Sequence, residues 1–159
     1  DKVVFTYQGD GDLAAIGMAE IVHAATRAEK ITTIFVNNAT YGMTGGQMAP
    51  TTLLGQETTT TPKGRDLAET GYPLRVAELL ATIEGVHILT REAVDTPKRV
   101  ISTKKAIKTA FEHQVSGQGF NLVEILSPCV SGWGMSPLKA RKWLRENMIP
   151  LYPLGRFKP

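Results

Sequence analysis

Cysteine is the scarcest reactive residue in this sequence: the 159-residue chain contains one, Cys129. A single thiol excludes an internal disulfide framework and is typical of a reducing compartment, so we expect a cytoplasmic protein. No apolar run approaches the length needed to cross a bilayer, and no segment has the pattern of a signal peptide. Internal repeats are also missing. We therefore expect neither a disulfide scaffold nor a membrane protein.

Charge of one sign is not concentrated either. Lysine and arginine number 18 against 15 acidic residues, which gives a net charge of +3 and a pI near 9.1. The densest basic group lies within 98–108, and a solvated helix face explains it better than a nucleic-acid-binding patch. With 42% hydrophobic and 21% charged residues, the composition is that of an ordinary globular protein. We predict a single domain over 1–159 that binds no nucleic acid.

Apolar segments of strand type alternate along the chain with segments of helical period. The predicted strands are 3–8, 31–36, 86–90 and 121–126, and the first is expected to be buried on both faces. The predicted helices are 13–28, a segment within 65–82 that starts at Tyr72-Pro73, 97–114 and 137–147. The proline-rich tail from 149 onwards is expected to be extended. This alternation predicts an α/β fold with a parallel sheet and helices on both faces.

The sequence QGDGDLAAIG places Gly9, Asp10 and Gly11 directly after the first predicted strand. Open α/β sheets bind ligands at such strand ends, and glycine lets the backbone approach a ligand closely. Asn37 and Asn38 follow the second strand. Because Mg²⁺ takes a few protein oxygens and completes its shell with substrate phosphates, this pattern predicts a diphosphate bridged to Mg²⁺ between two strand ends.

Two other interpretations of the same residues remain. In the first, Asp10 belongs to a plain strand-to-helix turn, where it would cap the helix. A nucleotide-binding module without catalysis is the second, but such a site needs an acidic residue at the end of the second strand to hold a ribose. Asn37 and Asn38 stand at that position, which counts against it.

The segment 39–64 shows no regular period and is rich in glycine, threonine and proline. A loop of this length inside a compact domain is usually functional. Thr44, Gly45 and Gly46 offer hydroxyl and backbone donors to an anionic group. We expect Thr51, Thr52 and Arg65 either to order this loop against a partner subunit or to be solvated.

These motifs together resemble a known family. GDG, about thirty residues, then NN is similar to the diphosphate motif of thiamine diphosphate (thiamine pyrophosphate) enzymes. The blocks GDGDLAAIG, NNATYGMTGGQMAPTT and LSPC resemble the beta subunit of the 2-oxoacid:ferredoxin oxidoreductases over nearly the whole chain. The stretch TTLLGQETTTTPKGR looks most like the 2-oxoisovalerate members, with the 2-oxoglutarate members close behind. The resemblance implies a thiamine diphosphate-binding fold.

The resemblance also implies a set of site residues. The side chains of Asp10 and Asn38 and the backbone carbonyl of Thr40 would bind Mg²⁺. The remaining residues expected to contact the cofactor are Gly9, Gly11, Asp12, Gly42, Met43 and Thr44. Asp12 has an alternative role as a helix cap. Met43 replaces a polar residue of the pyruvate-using relatives, so we expect a substrate with a more apolar side chain.

Cys129, in LSPC, would by the same resemblance ligate a [4Fe–4S] cluster. Such a cluster needs four thiolates. The other three come, in the family, from a segment that precedes the first residue of this chain. We therefore expect a C-terminal fragment of a longer subunit. The alternative is that Cys129 is only a small buried hydrophobic residue.

The activity implied is oxidative decarboxylation of a 2-oxoacid to acyl-coenzyme A, with electrons passing through iron–sulfur clusters to ferredoxin. The family's activating glutamate comes from another subunit, so we expect no catalytic side chain here and no turnover by the isolated chain. The implied partners are an alpha subunit, gamma or delta subunits where present, ferredoxin, coenzyme A and the 2-oxoacid. A non-redox thiamine diphosphate-dependent decarboxylase or lyase half, with Cys129 as a spectator, is the alternative function.

Overall fold

The computed structural model describes residues 2–158 and contains one five-stranded sheet. Its strands are β1 Phe5–Gly9, β2 Thr32–Asn37, β3 Val86–Ala93, β4 Phe120–Leu126 and β5 Gly155–Lys158, in the spatial order β1-β2-β4-β3-β5. The first four pair in parallel, as predicted. β5 pairs antiparallel with β3, so the sheet is mixed rather than wholly parallel. The extended tail thus became an edge strand.

Helices cover both faces of this sheet, which confirms the predicted architecture. They are α1 Met18–Thr26, α2 Leu67–Thr70, α3 Val76–Ala81, α4 Pro97–Val115, α5 Pro137–Trp143 and α6 Ile149–Leu151. Side chains that alternate along β2 and β4 divide between two cores. Phe35 and Leu122 pack on the α1 and α3 side, whereas Ile34 and Val123 pack on the α4 side. No helix in the described part of the chain combines the length and apolarity needed to cross a membrane.

The predicted helix 13–28 is divided at Gly17. A π-helical turn, Asp12–Ile16, comes first, and α1 follows it. The N–H of Gly17 donates to the carbonyl of Asp12, five residues back. A Cβ at position 17 would lie 2.5 Å from that carbonyl oxygen, so only glycine permits this close approach. Such π-helical turns are frequent at functional sites.

The helical region predicted from Tyr72-Pro73 begins later, at Val76. Residues between α2 and α3 are held out of the helix because Arg65 donates to the carbonyl of Tyr72 at 3.0 Å and Leu74 donates to the carbonyl of Pro50 at 2.8 Å. These two hydrogen bonds tie the segment to the long loop instead. The start of the predicted helix was therefore wrong by a few residues.

The C-terminal helical region runs further than predicted. α5 continues as a π-helical turn, Leu144–Met148, and then as α6, which contains Pro150 in its first turn. Inside a continuous helical run, proline leaves one carbonyl without its N–H partner, and this run ends one residue later, at Leu151. This region covers the carboxyl end of the sheet, where Leu144, Met148 and Tyr152 are fully buried.

β1 was expected to be buried on both faces, and this expectation was wrong. β1 is an edge strand whose only partner among the described strands is β2. Phe5 is 55% exposed and Tyr7 is 70% exposed. Its apolar composition thus marks an uncovered edge rather than a central strand.

Candidate functional site

The carboxyl ends of β1 and β2 meet because the two strands pair in parallel, with Gly9 opposite Val36. Asp10 and Asn38, each just past its strand, therefore come to the same edge of the sheet. A cavity of about 530 Å³ opens there. It is lined by the nine residues that the resemblance implied as cofactor contacts, together with three others: Gly9, Asp10, Gly11, Asp12, Asn38, Thr40, Gly42, Met43 and Thr44, with Ala15, Ile16 and Tyr41. Gly45 and Gly46, which the sequence also offered as donors, are not among its lining residues.

Asp10 is the buried acid of this cavity, with 3% of its surface exposed. Its Oδ2 accepts a hydrogen bond from the N–H of Asn38 at 3.0 Å, and its Oδ1 accepts one from the hydroxyl of Thr51. Burial raises the pKa of Asp10 to about 7, although the hydrogen bonds from Thr51 and Asn38 oppose that rise. A bound cation would favour the ionised carboxylate and offset the effect of burial.

Two further oxygen-bearing groups, the Asn38 amide and the Thr40 carbonyl, converge beside Asp10. The side-chain amide of Asn38 places one end 2.8 Å from Oδ2 of Asp10 and 2.6 Å from the backbone carbonyl oxygen of Thr40. Without a cation, the amide nitrogen at that end donates to both oxygens; with a cation, the amide oxygen can face it instead. Adjacent ligands of an octahedral Mg²⁺ with bonds of about 2.1 Å lie roughly 3 Å apart. The predicted metal ligands therefore fit a small hard cation.

Other metal chemistry has less support at this edge. Within residues 2–158, no group of three or more His, Cys, Asp or Glu side chains is placed to hold a metal ion. The candidate ligands at the cavity are a carboxylate, an amide and a carbonyl. Oxygen ligands of this kind suit magnesium, calcium or manganese rather than zinc or copper.

The turn that presents Asn38 and Thr40 is centred on Ala39, a non-glycine residue with a φ of 56°. This left-handed conformation is costly for alanine and needs support from its surroundings. The carbonyl of Ala39 accepts hydrogen bonds from the hydroxyl of Thr52 at 2.7 Å and from Nε2 of Gln56 at 3.2 Å. The long loop thus holds in place the turn that carries the candidate metal ligands. No motif in the sequence predicts this role of Gln56.

Arg65 organises that loop from inside. Only 5% of it is exposed, and its guanidinium donates at 2.6–3.5 Å to five backbone carbonyls, those of Ala49, Pro50, Thr52, Thr70 and Tyr72. Thr51 and Thr52 are fully buried. The expectation that these three residues contact a partner or solvent was therefore wrong, since they bind within this chain. Arginine can hold several carbonyls at once because its planar head carries five donors.

Asp12 closes the turn at the other side of the cavity. Its Oδ2 accepts a hydrogen bond from the N–H of Gly9 at 3.3 Å. The carboxylate therefore folds back over the glycine turn instead of capping the helix that starts there. Thr44 is also engaged, because its hydroxyl donates to Oε1 of Gln47 at 2.7 Å. Both residues shape the cavity wall through contacts within the chain.

The rim of the cavity is apolar and open. Met43 is 99% exposed and Ile16 is 90% exposed, although both line the opening. The glycine-rich turn beyond Met43 reverses the chain at Gly45 and Gly46, which have positive φ angles of 118° and 81°. The Met43 side chain therefore lies at the solvent-exposed rim of the cavity.

Cys129 lies beside the same loop. Its half-buried Sγ accepts a hydrogen bond from the N–H of Gly132 at 3.3 Å. A Cβ at Gly42 would come within 3.1 Å of that sulfur, and one at Gly132 would lie 2.8 Å from Cγ2 of Thr40. The turn that carries the thiol is thus packed directly against the loop that carries the candidate metal ligands. Trp133, four residues after Cys129, packs against Trp143 with ring centroids 4.5 Å apart.

Comparison with known proteins identifies the class to which this fold and site belong. Residues 1–125 match the family model for the thiamine pyrophosphate enzyme, C-terminal TPP binding domain. The chain therefore belongs to this family of thiamine pyrophosphate-binding domains.

The chain is also similar to individual oxidoreductase subunits. The chain is 47% identical over 158 residues to the ketoisovalerate oxidoreductase subunit VorA of Methanothermobacter thermautotrophicus, a match that covers 99% of this chain and 33% of that protein. It is 36% identical over 144 residues to the 2-oxoglutarate synthase subunit KorB of Archaeoglobus fulgidus, covering 91% of this chain and 49% of that protein. The chain thus spans a third to a half of the length of these relatives. These matches confirm the resemblance predicted from the motifs.

A solved structure supports the fold. The 2-oxoglutarate:ferredoxin oxidoreductase from Magnetococcus marinus, determined with 2-oxoglutarate, coenzyme A and succinyl-CoA bound, matches with a TM-score of 0.66 at 23% sequence identity. The match covers 87% of this chain and 42% of that chain. At this level of identity the likeness concerns the fold alone.

Proposed function

We propose that this chain is the part of a 2-oxoacid:ferredoxin oxidoreductase beta subunit that binds thiamine diphosphate and Mg²⁺, in an enzyme that converts 2-oxoisovalerate to its acyl-coenzyme A and reduces ferredoxin in the cytoplasm. The observation that carries the proposal is the convergence of the Asp10, Asn38 and Thr40 oxygens at the cavity. The proposal is further supported by 46–47% identity to two ketoisovalerate oxidoreductase subunits.

Each residue of the cavity has a role in this proposal. Asp10, Asn38 and the Thr40 carbonyl would hold Mg²⁺, which ties the diphosphate to the protein. The glycine turn, closed by Asp12, leaves backbone N–H groups and open space for the diphosphate. When bound, thiamine diphosphate supplies the carbanion-stabilising chemistry of the decarboxylation. This chain would bind and orient the cofactor, while the glutamate that activates the cofactor would come from another subunit.

Cys129 would supply one of four thiolate ligands to a [4Fe–4S] cluster, and the other three would lie outside this chain. Its position supports the role, since the sulfur adjoins the cofactor loop and accepts a hydrogen bond from the Gly132 N–H. Hydrogen bonds of this kind tune cluster potentials. In the full-length subunit, Cys129→Ser should lose bound iron and the visible absorption of the cluster, while thiamine diphosphate still binds. Unchanged iron content would favour the non-redox decarboxylase or lyase instead.

The metal and cofactor part is tested by calorimetry on the full-length subunit with its partners. Thiamine diphosphate is titrated with Mg²⁺ and then with excess EDTA, into the wild type and an Asp10→Ala variant. Binding should need Mg²⁺ and be lost in the variant. Binding that ignores both EDTA and the substitution would contradict the site. The isolated 159-residue chain should not reduce a viologen dye with any 2-oxoacid and coenzyme A.

The substrate is tested by comparing kcat/KM for 2-oxoisovalerate, 2-oxoglutarate and pyruvate in the assembled enzyme. An apolar rim at Met43 and Ile16 favours the branched, uncharged substrate. A higher value for 2-oxoglutarate would assign the chain to the second candidate, whose support is the 35–36% identity to 2-oxoglutarate synthase subunits.

A further inference from the structure

The side chain of Asn37, the last residue of β2, connects the metal turn to the protein interior. Its Oδ1 accepts a hydrogen bond from the N–H of Ala39 at 3.1 Å, and its Nδ2 donates to Oε1 of Glu124 at 2.8 Å. Asn37, Ala39 and Glu124 are all fully buried. One orientation of the amide satisfies both neighbours. The reversed orientation would place its NH₂ group against the N–H of Ala39.

Glu124 is the group that selects this orientation. Its second oxygen, Oε2, accepts a hydrogen bond from Nε of Arg91 at 2.8 Å. An ionised carboxylate can only accept hydrogen bonds, so it requires a donor from Asn37. The oxygen of the Asn37 amide is then left to face Ala39.

Neutralising Arg91 does not explain the presence of Glu124. Arg91 is fully buried, but it already pairs with both oxygens of Glu78, at 3.0 and 2.6 Å. A second buried carboxylate carries a large desolvation cost, and buried ion pairs are often no more stabilising than apolar residues of the same volume. The contact that distinguishes Glu124 from Glu78 is the one to Asn37.

We propose that Glu124 is a positioning residue for the metal site. Through Asn37 it holds Ala39 in the left-handed turn, and that turn points the Asn38 amide and the Thr40 carbonyl at Asp10. This inference rests on the proposed function, since it assigns Glu124 to the Mg²⁺ site of that function.

The proposal makes the Glu124→Gln variant informative. The glutamine side chain of this variant would turn its oxygen to the Arg91 guanidinium, because a hydrogen bond from a charged donor is the stronger one. Its NH₂ group would then face Asn37, whose amide must reverse and present NH₂ to the N–H of Ala39. The hydrogen bond that holds the turn is lost. We expect metal affinity to fall about tenfold, as for other residues that orient metal ligands.

A second substitution should reverse the effect. In the double variant Asn37→Asp with Glu124→Gln, the NH₂ group of the introduced glutamine can donate to one oxygen of the introduced aspartate. The other oxygen of that aspartate accepts from the N–H of Ala39, as the Asn37 amide oxygen does in the wild type. The net charge of the pair is unchanged. Asn37→Asp alone places two carboxylates together and should weaken metal binding.

Glu78→Gln is the matched control. It changes the same carboxylate to the same amide, contacts the same Arg91, and lies away from Asn37. If Glu124 only balanced the charge of Arg91, both variants would behave alike. We expect Glu78→Gln to leave metal affinity unchanged.

The experiment measures the affinity for Mn²⁺, a paramagnetic substitute for Mg²⁺. Mn²⁺ is titrated into the full-length enzyme in the presence of thiamine diphosphate, and the electron paramagnetic resonance signal of the free ion reports how much Mn²⁺ is unbound. We expect the wild type, Glu78→Gln and the double variant to bind Mn²⁺ with similar affinity. Glu124→Gln should bind it about tenfold more weakly than these three. Circular dichroism checks that each variant is folded.

The outcomes separate the two proposals. A wild type that binds no Mn²⁺ overturns the proposed function itself. If the wild type binds Mn²⁺, three results overturn the positioning role alone. The first is that Glu124→Gln binds Mn²⁺ as tightly as the wild type, and the second is that Glu78→Gln is weakened as much as Glu124→Gln. The third is that the double variant does not recover affinity. An unfolded Glu124→Gln protein also overturns it, because the Arg91–Glu78 pair is expected to keep the fold intact.

Discussion

At the scale of the residue, neighbouring groups fix the side chain of Asp10, and its two carboxylate oxygens have different partners. Oδ1 accepts from Thr51, and Oδ2 faces the Asn38 amide and the candidate cation position. Thr51 is itself clamped, since Tyr152 donates from its hydroxyl to the Thr51 carbonyl at 2.6 Å. The rotamer of the carboxylate is therefore set before any ligand binds, which lowers the entropy cost of binding.

Replacing Thr51 by valine should weaken Mg²⁺ binding at the candidate site. The shape is kept but the hydroxyl donor is lost, so Oδ1 of Asp10 is left buried without its partner. We expect about 1–3 kcal/mol loss in the free energy of unfolding and about tenfold weaker Mg²⁺ binding. Urea unfolding and calorimetry measure the two effects. Thr59→Val, at an exposed position in the same loop, should change neither, and equal losses in both variants would contradict the role of Thr51.

At the scale of the element, short hydrogen-bonded links decide where helices begin and how they are joined. The π-helical turn Asp12–Ile16 lets the chain leave β1 and enter α1 beside the cavity. Asp95 lies between β3 and α4. Its carboxylate forms ion pairs with Arg99 of α4 and with Arg145 of the C-terminal helical region, at 2.8 and 3.0 Å. One buried carboxylate thus ties together two helical regions distant in sequence.

Two glycine-to-alanine substitutions should separate folding from binding. Gly17→Ala places a Cβ 2.5 Å from the Asp12 carbonyl, and we expect about 1–3 kcal/mol loss in the free energy of unfolding. Gly9→Ala meets no atom within 4 Å, so its stability should stay near that of the wild type. Its methyl group instead faces the cavity and should weaken thiamine diphosphate binding. Thermal melts and calorimetry test the pair, and equal stability of the two variants would contradict the π-turn argument.

Asp95 should contribute to stability in a pH-dependent manner. Burial alone would raise the pKa of Asp95, but hydrogen bonds from Arg99 and Arg145 outweigh it and hold the pKa below its usual value. Because the folded-state pKa is depressed, the stabilisation is present above the unfolded pKa of about 3.9 and is lost as pH falls through the lower folded-state pKa.

The Asp95→Asn variant measures this contribution. We expect it to be about 2 kcal/mol less stable than the wild type at pH 7, since two hydrogen bonds to charged groups are weakened. The difference should shrink as pH falls from 5 towards 3. Urea unfolding across this range provides the measurement, with Glu112→Gln on the exposed face of α4 as the control. A difference that is constant with pH would contradict the assignment.

At the scale of the whole molecule, the two edges of the sheet are unlike each other. β5 covers the β3 edge, and Phe157 stacks on the buried Arg91 with its ring centre 5.0 Å from the guanidinium carbon. The β1 edge is open in the described chain and carries four exposed apolar side chains, those of Val3, Val4, Phe5 and Tyr7. Open apolar edges pair readily with other strands.

The 159-residue chain by itself should therefore associate through β1. We expect concentration-dependent self-association in analytical ultracentrifugation, which Tyr7→Lys should reduce because a charge on an edge strand opposes pairing. Tyr72→Lys is the control: Tyr72 is 76% exposed but lies outside the strands. If both variants reduce association equally, or the wild type is monomeric at every concentration, the edge is not responsible.

The candidate site was largely predictable because its signals are local in sequence. A glycine turn after one strand and two asparagines after the next meet whenever those strands are parallel neighbours, and β1 and β2 are. Glu124, Gln56 and Arg91 gave no such signal. Each is a polar residue inside an apolar or irregular segment, and its hydrogen-bond partner is distant in the sequence. Glu124, for example, is 87 residues from its partner Asn37.

The sequence by itself determined the class of fold, the order of strands and helices, and the cluster of oxygen ligands at the strand ends, since periodicity and turn residues act over a few positions. Tertiary structure alone decided that β1 is an edge, that β5 runs antiparallel, and that Glu124, Asn37 and Thr51 form buried hydrogen bonds around the candidate site. Those outcomes depend on which surfaces are left to be covered once the sheet has formed, and on hydrogen bonds that buried polar groups must find across long separations.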